Sequence, residues 1–228
     1  MKKGDAVDQA RWTEVDHYLD EVLVGSDPAL DAALADVDAA GMPAISVTPT
    51  LGKLLYILAR MVGARRILEV GTLGGYSTIW LARAVPARGQ VVSLEIDAGN
   101  AAVAAASLQR AGVADRVDIR IGRAVDTLAA LEVAGVEPFD LVFIDADKQS
   151  NPEYLAWALR LTHVGSVIIV DNVVRGGAVA DSTATDPSIL GIRRMNELIA
   201  AEPRLLTTAI QTVGSKGYDG FAIALVVG

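Results

Sequence analysis

From residue 65 onward, short apolar runs alternate with stretches of helical spacing. The runs RRILEV, QVVSLEI, RVDIRI, FDLVFI and VGSVIIV are six or seven residues long, a length that suits buried parallel strands better than helices. Between and after them, apolar positions recur with helical spacing over 76–84, 98–111, 124–133, 152–161 and 187–201. Strand and helix in regular alternation predict a doubly wound parallel α/β sheet. The C-terminal part breaks the pattern, because LLTTAIQTV and FAIALVV are joined by the turn-rich GSKGYDG with no helix between them. That predicts a terminal hairpin and an antiparallel strand in the sheet. Before residue 65, helical spacing over 12–24, 28–40 and 49–62, with start signals at Asp27-Pro28 and Thr48-Pro49, predicts an N-terminal helical layer.

No Pro/Ser/Gly-rich linker divides the 228 residues, so one domain over 1–228 is expected, with helices over 1–62 and an α/β core over 63–228. A hydrophobic content of 52% against 21% charged residues suits a well-filled core, and the strand-like runs are too short to span a bilayer. The opening MKKGDAVDQARW has no apolar stretch behind its lysines and reads as neither signal peptide nor anchor. The absence of cysteine excludes disulfides, thiolate metal sites and cysteine nucleophiles, and makes a cytoplasmic address the default. A net charge of −8 opposes a broad nucleic-acid footprint, which needs clustered Lys and Arg.

The chemistry gathers where strands end. FDLVFIDADK (139–148) and VIIVDN (167–172) each close an apolar run with acids or an amide, and ligand crevices in open α/β sheets lie at the carboxyl ends of strands. Asp145, Asp171 and Asn172 would then converge as an all-oxygen set for Mg²⁺ or a similar ion; the alternative is that the acids cap the following turns. In ILEVGTLGGYST, Gly71, Gly74 and Gly75 fall where a strand turns into a helix and a ligand can approach the backbone, although a turn alone would also use them. Glu69 stands inside an apolar strand, and burial of its charge demands a cationic or hydrogen-bonding partner. Glu95 ends the next strand, the placement of an acid that holds ribose hydroxyls, or of a plain exposed strand end. The GxxGG spacing, with Glu69 two residues before the first glycine, disfavours a pyrophosphate and hence a nicotinamide dinucleotide.

With LEVGTLGGYST, LEID, IGRAVDTL, FIDADK and VDNVVRGG in this order, the chain from about Met42 resembles the class I, Rossmann-like methyltransferases that use S-adenosylmethionine. Within them it is similar to the cation-dependent O-methyltransferases, which include catechol and caffeoyl-coenzyme A O-methyltransferases. The resemblance implies that Glu69, Gly71, Thr72 and Ser77 surround the cofactor's amino acid part, with Val47 closing over it. It further implies that Glu95 holds the ribose, Ala124 meets the adenine, and Asp145 serves both the metal and the cofactor's amino group. Asp145, Asp171 and Asn172 match the metal ligands, for Mg²⁺ or another divalent cation such as Mn²⁺ or Ca²⁺, and Lys148 matches the general base. A small catechol-like phenol as substrate, no membrane partner and a homodimer complete the expectation.

Two other functions compete: O-methylation of a hydroxyuridine in tRNA, which the acidic charge opposes, and a nicotinamide-dependent oxidoreductase or non-catalytic nucleotide-binding module. Departures from the family bear on the acceptor. Asn151 stands where many relatives carry an aromatic residue, and Arg175 either faces solvent or recognises an acidic group on the acceptor. Tyr154 and Trp157 share a helix face and belong either to the core or to the acceptor pocket. Asp147 reads as a solvated or capping acid, and His17 and His163 match no nucleophile or zinc pattern.

Overall fold

The computed structural model of the chain describes residues 5–228. Seven strands join one mixed sheet: β1 (Arg66–Val70), β2 (Gln90–Glu95), β3 (Val117–Ile121), β4 (Phe139–Ile144), β5 (Thr162–Asp171), β6 (Leu205–Gly214) and β7 (Gly217–Val226). Their spatial order is β3-β2-β1-β4-β5-β7-β6. The first five run parallel; β7 lies antiparallel between β5 and β6, with Asp171 opposite Phe221. This is the Rossmann-like sheet with a terminal hairpin that the hydrophobic pattern predicts. Among the described residues no helix is long and apolar enough to cross a membrane.

Eight α-helices among the described residues are α1 (Asp5–Leu19), α2 (Pro28–Ala39), α3 (Pro49–Met61), α4 (Tyr76–Ala84), α5 (Ala98–Arg110), α6 (Ala124–Val133), α7 (Asn151–Arg160) and α8 (Pro187–Ala201). Several begin as their sequences require. Asp27 accepts hydrogen bonds from the Ala29 and Leu30 amides, Thr48 from Leu51, and Asp186 from Ser188, each with proline at the first helical position.

Alternation along the strands divides the core in two. On one face Ile67, Leu141, Phe143 and Ile169 pack with Leu55, Ile79 and Leu81 from α3 and α4. On the other Leu68, Val142, Ile144 and Ile168 pack with Leu128, Leu155, Ile192 and Met195 from α6, α7 and α8. Both faces of β1, β2, β4 and the second half of β5 are covered, which is why they read as continuous apolar runs, whereas the edge strand β3 stays partly exposed and alternates with polar residues.

Three boundaries differ from the sequence expectation. The first helix begins at Asp5 rather than Trp12 and gives way to a π-helical turn at Asp20–Val24. β5 extends to both sides of 164–170, beginning at Thr162 and ending on Asp171. Most of GSKGYDG is strand: only Ser215 and Lys216 lie between β6 and β7, and Gly217 supplies the positive φ (95°) that leads out of the tight turn.

Candidate functional site

A cleft of about 860 Å³ opens along the carboxyl ends of the parallel strands. The order β2-β1-β4 puts the strand-order reversal between β1 and β4, where such folds bind ligands. Packing there is tight enough to dictate residue type. Gly71 has φ 104°, and a Cβ on it would lie 2.2 Å from the Asp145 carbonyl oxygen, so only glycine lets the turns after β1 and β4 close together.

Of the residues expected around a cofactor, Val47, Gly71, Thr72, Ser77, Glu95, Ala124 and Asp145 all line this cleft. Glu69 does not. It is fully buried and accepts hydrogen bonds of 2.6 Å from the hydroxyls of Ser77, Thr78 and Ser93. The partner it demands is therefore a set of three hydroxyls and not a cation. Desolvation pushes its pKa up to about 7, against the pull of the three hydroxyls. Glu69 thus stands behind the cleft lining, joined to it by Ser77 and, through Ser93, by Thr72.

Glu95 is nearly enclosed yet lines the cleft. It accepts the Leu73 amide at 2.8 Å and the Asp97 amide at 3.0 Å, so the acid that ends β2 also orients the glycine turn after β1.

At the other end of the cleft, Lys148 is buried and its Nζ donates to Asp145 Oδ1 at 2.7 Å. Asn172, with φ 58°, lines the cleft beside them. Asp171 is buried and not itself part of the lining. Burial first, and Asp145 next, push its carboxyl pKa up, while Lys148 opposes the shift. A buried Asp171 carboxyl whose ionisation Asp145 disfavours, next to an amide with no hydrogen-bond partner for its side chain among the described residues, forms with Asp145 an all-oxygen donor set in which Lys148, paired with Asp145, is the neighbouring positive charge. That suits a hard divalent cation. Among the described residues no group of three or more His, Cys, Asp or Glu side chains is placed to hold a metal.

The Asp147 side chain makes no cap bond to the helical turn that follows it. It accepts the Tyr154 hydroxyl at 2.5 Å and the Ser150 hydroxyl at 2.5 Å, and these bonds outweigh its partial desolvation and hold its pKa down. Tyr154 lines the cleft; Trp157 does not, and stacks under the Arg160 guanidinium at 4.6 Å. Asn151 is fully buried at the start of α7 and outside the lining, so the aromatic wall near Asp147 comes from Tyr154 instead. Arg175 is exposed and also lines the cleft, so it faces solvent at the cleft's edge. His163 bonds Asp140 at the opposite end of the strands, away from the cleft.

The sequence reading missed Thr78, Ser93 and the Asp147–Ser150–Tyr154 cluster. A signal existed for the first two, since a lone acid in an apolar strand calls for hydroxyls on the neighbouring strand and helix.

A family model described as O-methyltransferase matches residues 28–224. A catechol O-methyltransferase of Mycobacterium tuberculosis is 55% identical over 213 residues, covering 93% of this chain and 95% of that protein. A catechol O-methyltransferase of Niastella koreensis is 49% identical over 212 residues, 93% of this chain and 96% of that one. Among solved structures, an O-methyltransferase from Bacillus cereus in complex with SAH superposes with a TM-score of 0.94 at 54% identity, covering 96% of this chain and 99% of that one. One from Streptomyces achromogenes, in complex with SAM, gives a TM-score of 0.94 at 49% identity over 96% and 99% of the two chains.

Proposed function

We propose, for a chain that belongs to the O-methyltransferase family, that the methyl group of S-adenosylmethionine passes to one hydroxyl of a small catechol-like phenol, with a divalent cation held by Asp145, Asp171 and Asn172. The enzyme is an S-adenosylmethionine-dependent O-methyltransferase; the acceptor, the cation and the residue roles are the proposal. The observation that carries it is the division of one cleft into two ends, with Glu95 and Ala124 at one and Asp145, Lys148 and Asn172 at the other. The names of the two catechol O-methyltransferases support the acceptor class.

In this reading Glu95 accepts the ribose hydroxyls, Ala124 presents backbone to the adenine, and Val47, Gly71, Thr72 and Ser77 surround the methionyl part. Glu69 locks the Ser77 hydroxyl from below. Direct methyl transfer needs little covalent help, and rate comes from aligning oxygen, methyl carbon and sulfur while supplying the oxygen ionised. A bound Mg²⁺, or Mn²⁺ or Ca²⁺ on the same oxygen donors, would supply Lewis-acid charge that lowers the pKa of the acceptor hydroxyl. Lys148 takes the hydroxyl proton at its Nζ. A lysine does so only as a free amine, and its bond to Asp145 would have to yield were that carboxylate to hold a cation. Tyr154, fixed by Asp147, walls the acceptor side.

The reading extends to one methyltransferase domain over 1–228, helical over 1–62 and cofactor-binding over 63–228, working in the cytoplasm as a homodimer. Exposed Val22, Leu23, Ile57 and Met61 on the N-terminal layer supply apolar surface for a second copy. A monomer mass in light scattering would end the dimer.

The deciding experiment is transfer of labelled methyl from S-adenosylmethionine to a panel of catechols, with Mg²⁺ and with chelator, for wild type and Asp145→Ala. Turnover that needs metal and Asp145 supports the proposal. Methylation of bulk tRNA with no catechol turnover would replace the acceptor.

A further inference from the structure

The β6–β7 hairpin reaches past the sheet on the side of the cleft. Asp171, the last residue of β5, pairs with Phe221, and β7 begins four residues earlier at Gly217, so the tip stands roughly 13 Å beyond the strand's end. The loop after Asp171 is strapped to it. Asp219 Oδ1 accepts the amides of Val174 at 3.1 Å and Arg175 at 2.9 Å, and the Gly220 carbonyl accepts Val173 at 3.0 Å. Helix α1 braces the tip from outside: Gln9 Nε2 donates to the Gly214 carbonyl at 2.9 Å, and the Ser215 amide donates to Asp16 at 2.6 Å.

Each strapped segment carries a cation. Arg175 lines the cleft, and its backbone is held at φ 53°, an uncommon conformation for a residue with a side chain and one that Asp219 maintains. Lys216 occupies the two-residue turn. It is exposed and outside the cleft's lining, at the tip that β7 carries past Asp171 along the same edge of the sheet as Arg175. Neither side chain has an ion-pair partner among the described residues, whereas Arg83, Arg110, Arg160 and Arg204 each pair with an acid.

We propose that Arg175 and Lys216 form a cationic rim at the acceptor end of the cleft, selecting phenols that carry an anionic substituent, a carboxylate, on the side of the ring away from the reacting hydroxyl. The inference rests on the methyltransferase reading of the same cleft and names its substrate class. With the acceptor's oxygens turned toward Asp145 and Asn172, a carboxylate pointing outward meets two positive charges, and an ammonium group there meets repulsion. Helix α1 gains a role as the brace that keeps Lys216 over the cleft.

The test compares kcat/KM for catechols bearing a carboxylate, a methyl or an ammonium group at one ring position, in wild type, Lys216→Gln, Lys216→Glu and Arg175→Gln. Wild type should prefer the carboxylate, and each glutamine variant should lower the carboxylate-to-methyl ratio about fivefold, the upper end for one partly exposed ion pair. Lys216→Glu should shift preference toward the ammonium compound. A ratio unchanged in both glutamine variants overturns the rim, as does an equal loss on all three compounds. If wild type methylates none of them, the acceptor reading fails by itself. Calorimetry of 3,4-dihydroxybenzoate with SAH-loaded protein then decides the rim: binding weakened in Lys216→Gln upholds it, and binding absent or unaltered overturns it.

Discussion

Lys148 Nζ lies 2.7 Å from Asp145 Oδ1, three residues back along the turn that leaves β4, and the pair is largely closed off from solvent. A cation so held is placed by its fold, not by chance at a surface.

Removing the amine should separate chemistry from binding. Lys148→Ala is expected to lower kcat on a catechol by roughly a hundredfold or more, within the range for loss of a general base. SAH affinity by calorimetry should stay within about twofold. A variant with wild-type kcat removes Lys148 from the reaction.

Gly71→Ala tests the approach of the two turns. Its φ of 104° and the 2.2 Å gap to the Asp145 carbonyl leave no room for a methyl group. A loss of more than about 2 kcal/mol in urea unfolding is expected, together with weakened SAH binding. Wild-type stability would mean that the backbone can relax there at little cost.

Glu69 should leave a mark on the pH dependence of stability. Burial raises its folded-state pKa to about 7 from 4.5, so between these values the folded state binds more protons than the unfolded one. Its contribution is therefore full below about pH 4.5 and is lost as pH rises to about 7, by up to about 3 kcal/mol at 1.36 kcal/mol per unit. Glu69→Gln keeps hydrogen-bonding capacity without the charge, and chemical denaturation across pH 4.5–8 should show a flatter curve for the variant. Parallel curves would place the titration elsewhere.

Asp171 makes a trade between stability and function. It is buried against Asp145, so Asp171→Asn should raise the melting temperature of metal-free protein by roughly 2–4 °C, a gain of about 1 kcal/mol. The same variant should lose the Mg²⁺-dependent rise in melting temperature that wild type shows and chelator reverses. A variant that keeps this rise would move the cation elsewhere.

Much of the molecule is legible along the chain because its causes are local. Short apolar runs alternating with helical spacing, proline-led helix starts capped by Asp27, Thr48 and Asp186, and runs ending in Asp145 or in Asp171 and Asn172 depend on residues a few positions apart. These determine the element order, the sheet class, the hairpin and the edge on which polar groups gather. Where boundaries slipped, the cause was remote: α1 starts early and ends in a π-helical turn while it braces a hairpin some two hundred residues away.

Only the tertiary structure decided who meets whom. Glu69 needs Ser93 from the adjacent strand and Ser77 and Thr78 from α4, and spacing alone does not say that a buried acid will take three hydroxyls instead of one cation. Asp147 looked solvated until Tyr154, two turns along, proved to donate to it, while Asn151 turned inward and left the cleft. Lys216 carried no signal in a turn-rich segment, because its place at the tip beyond Asp171 follows from the length of β7 past β5. Periodicity determines which face each residue occupies, whereas the distance between two faces is a property of packing.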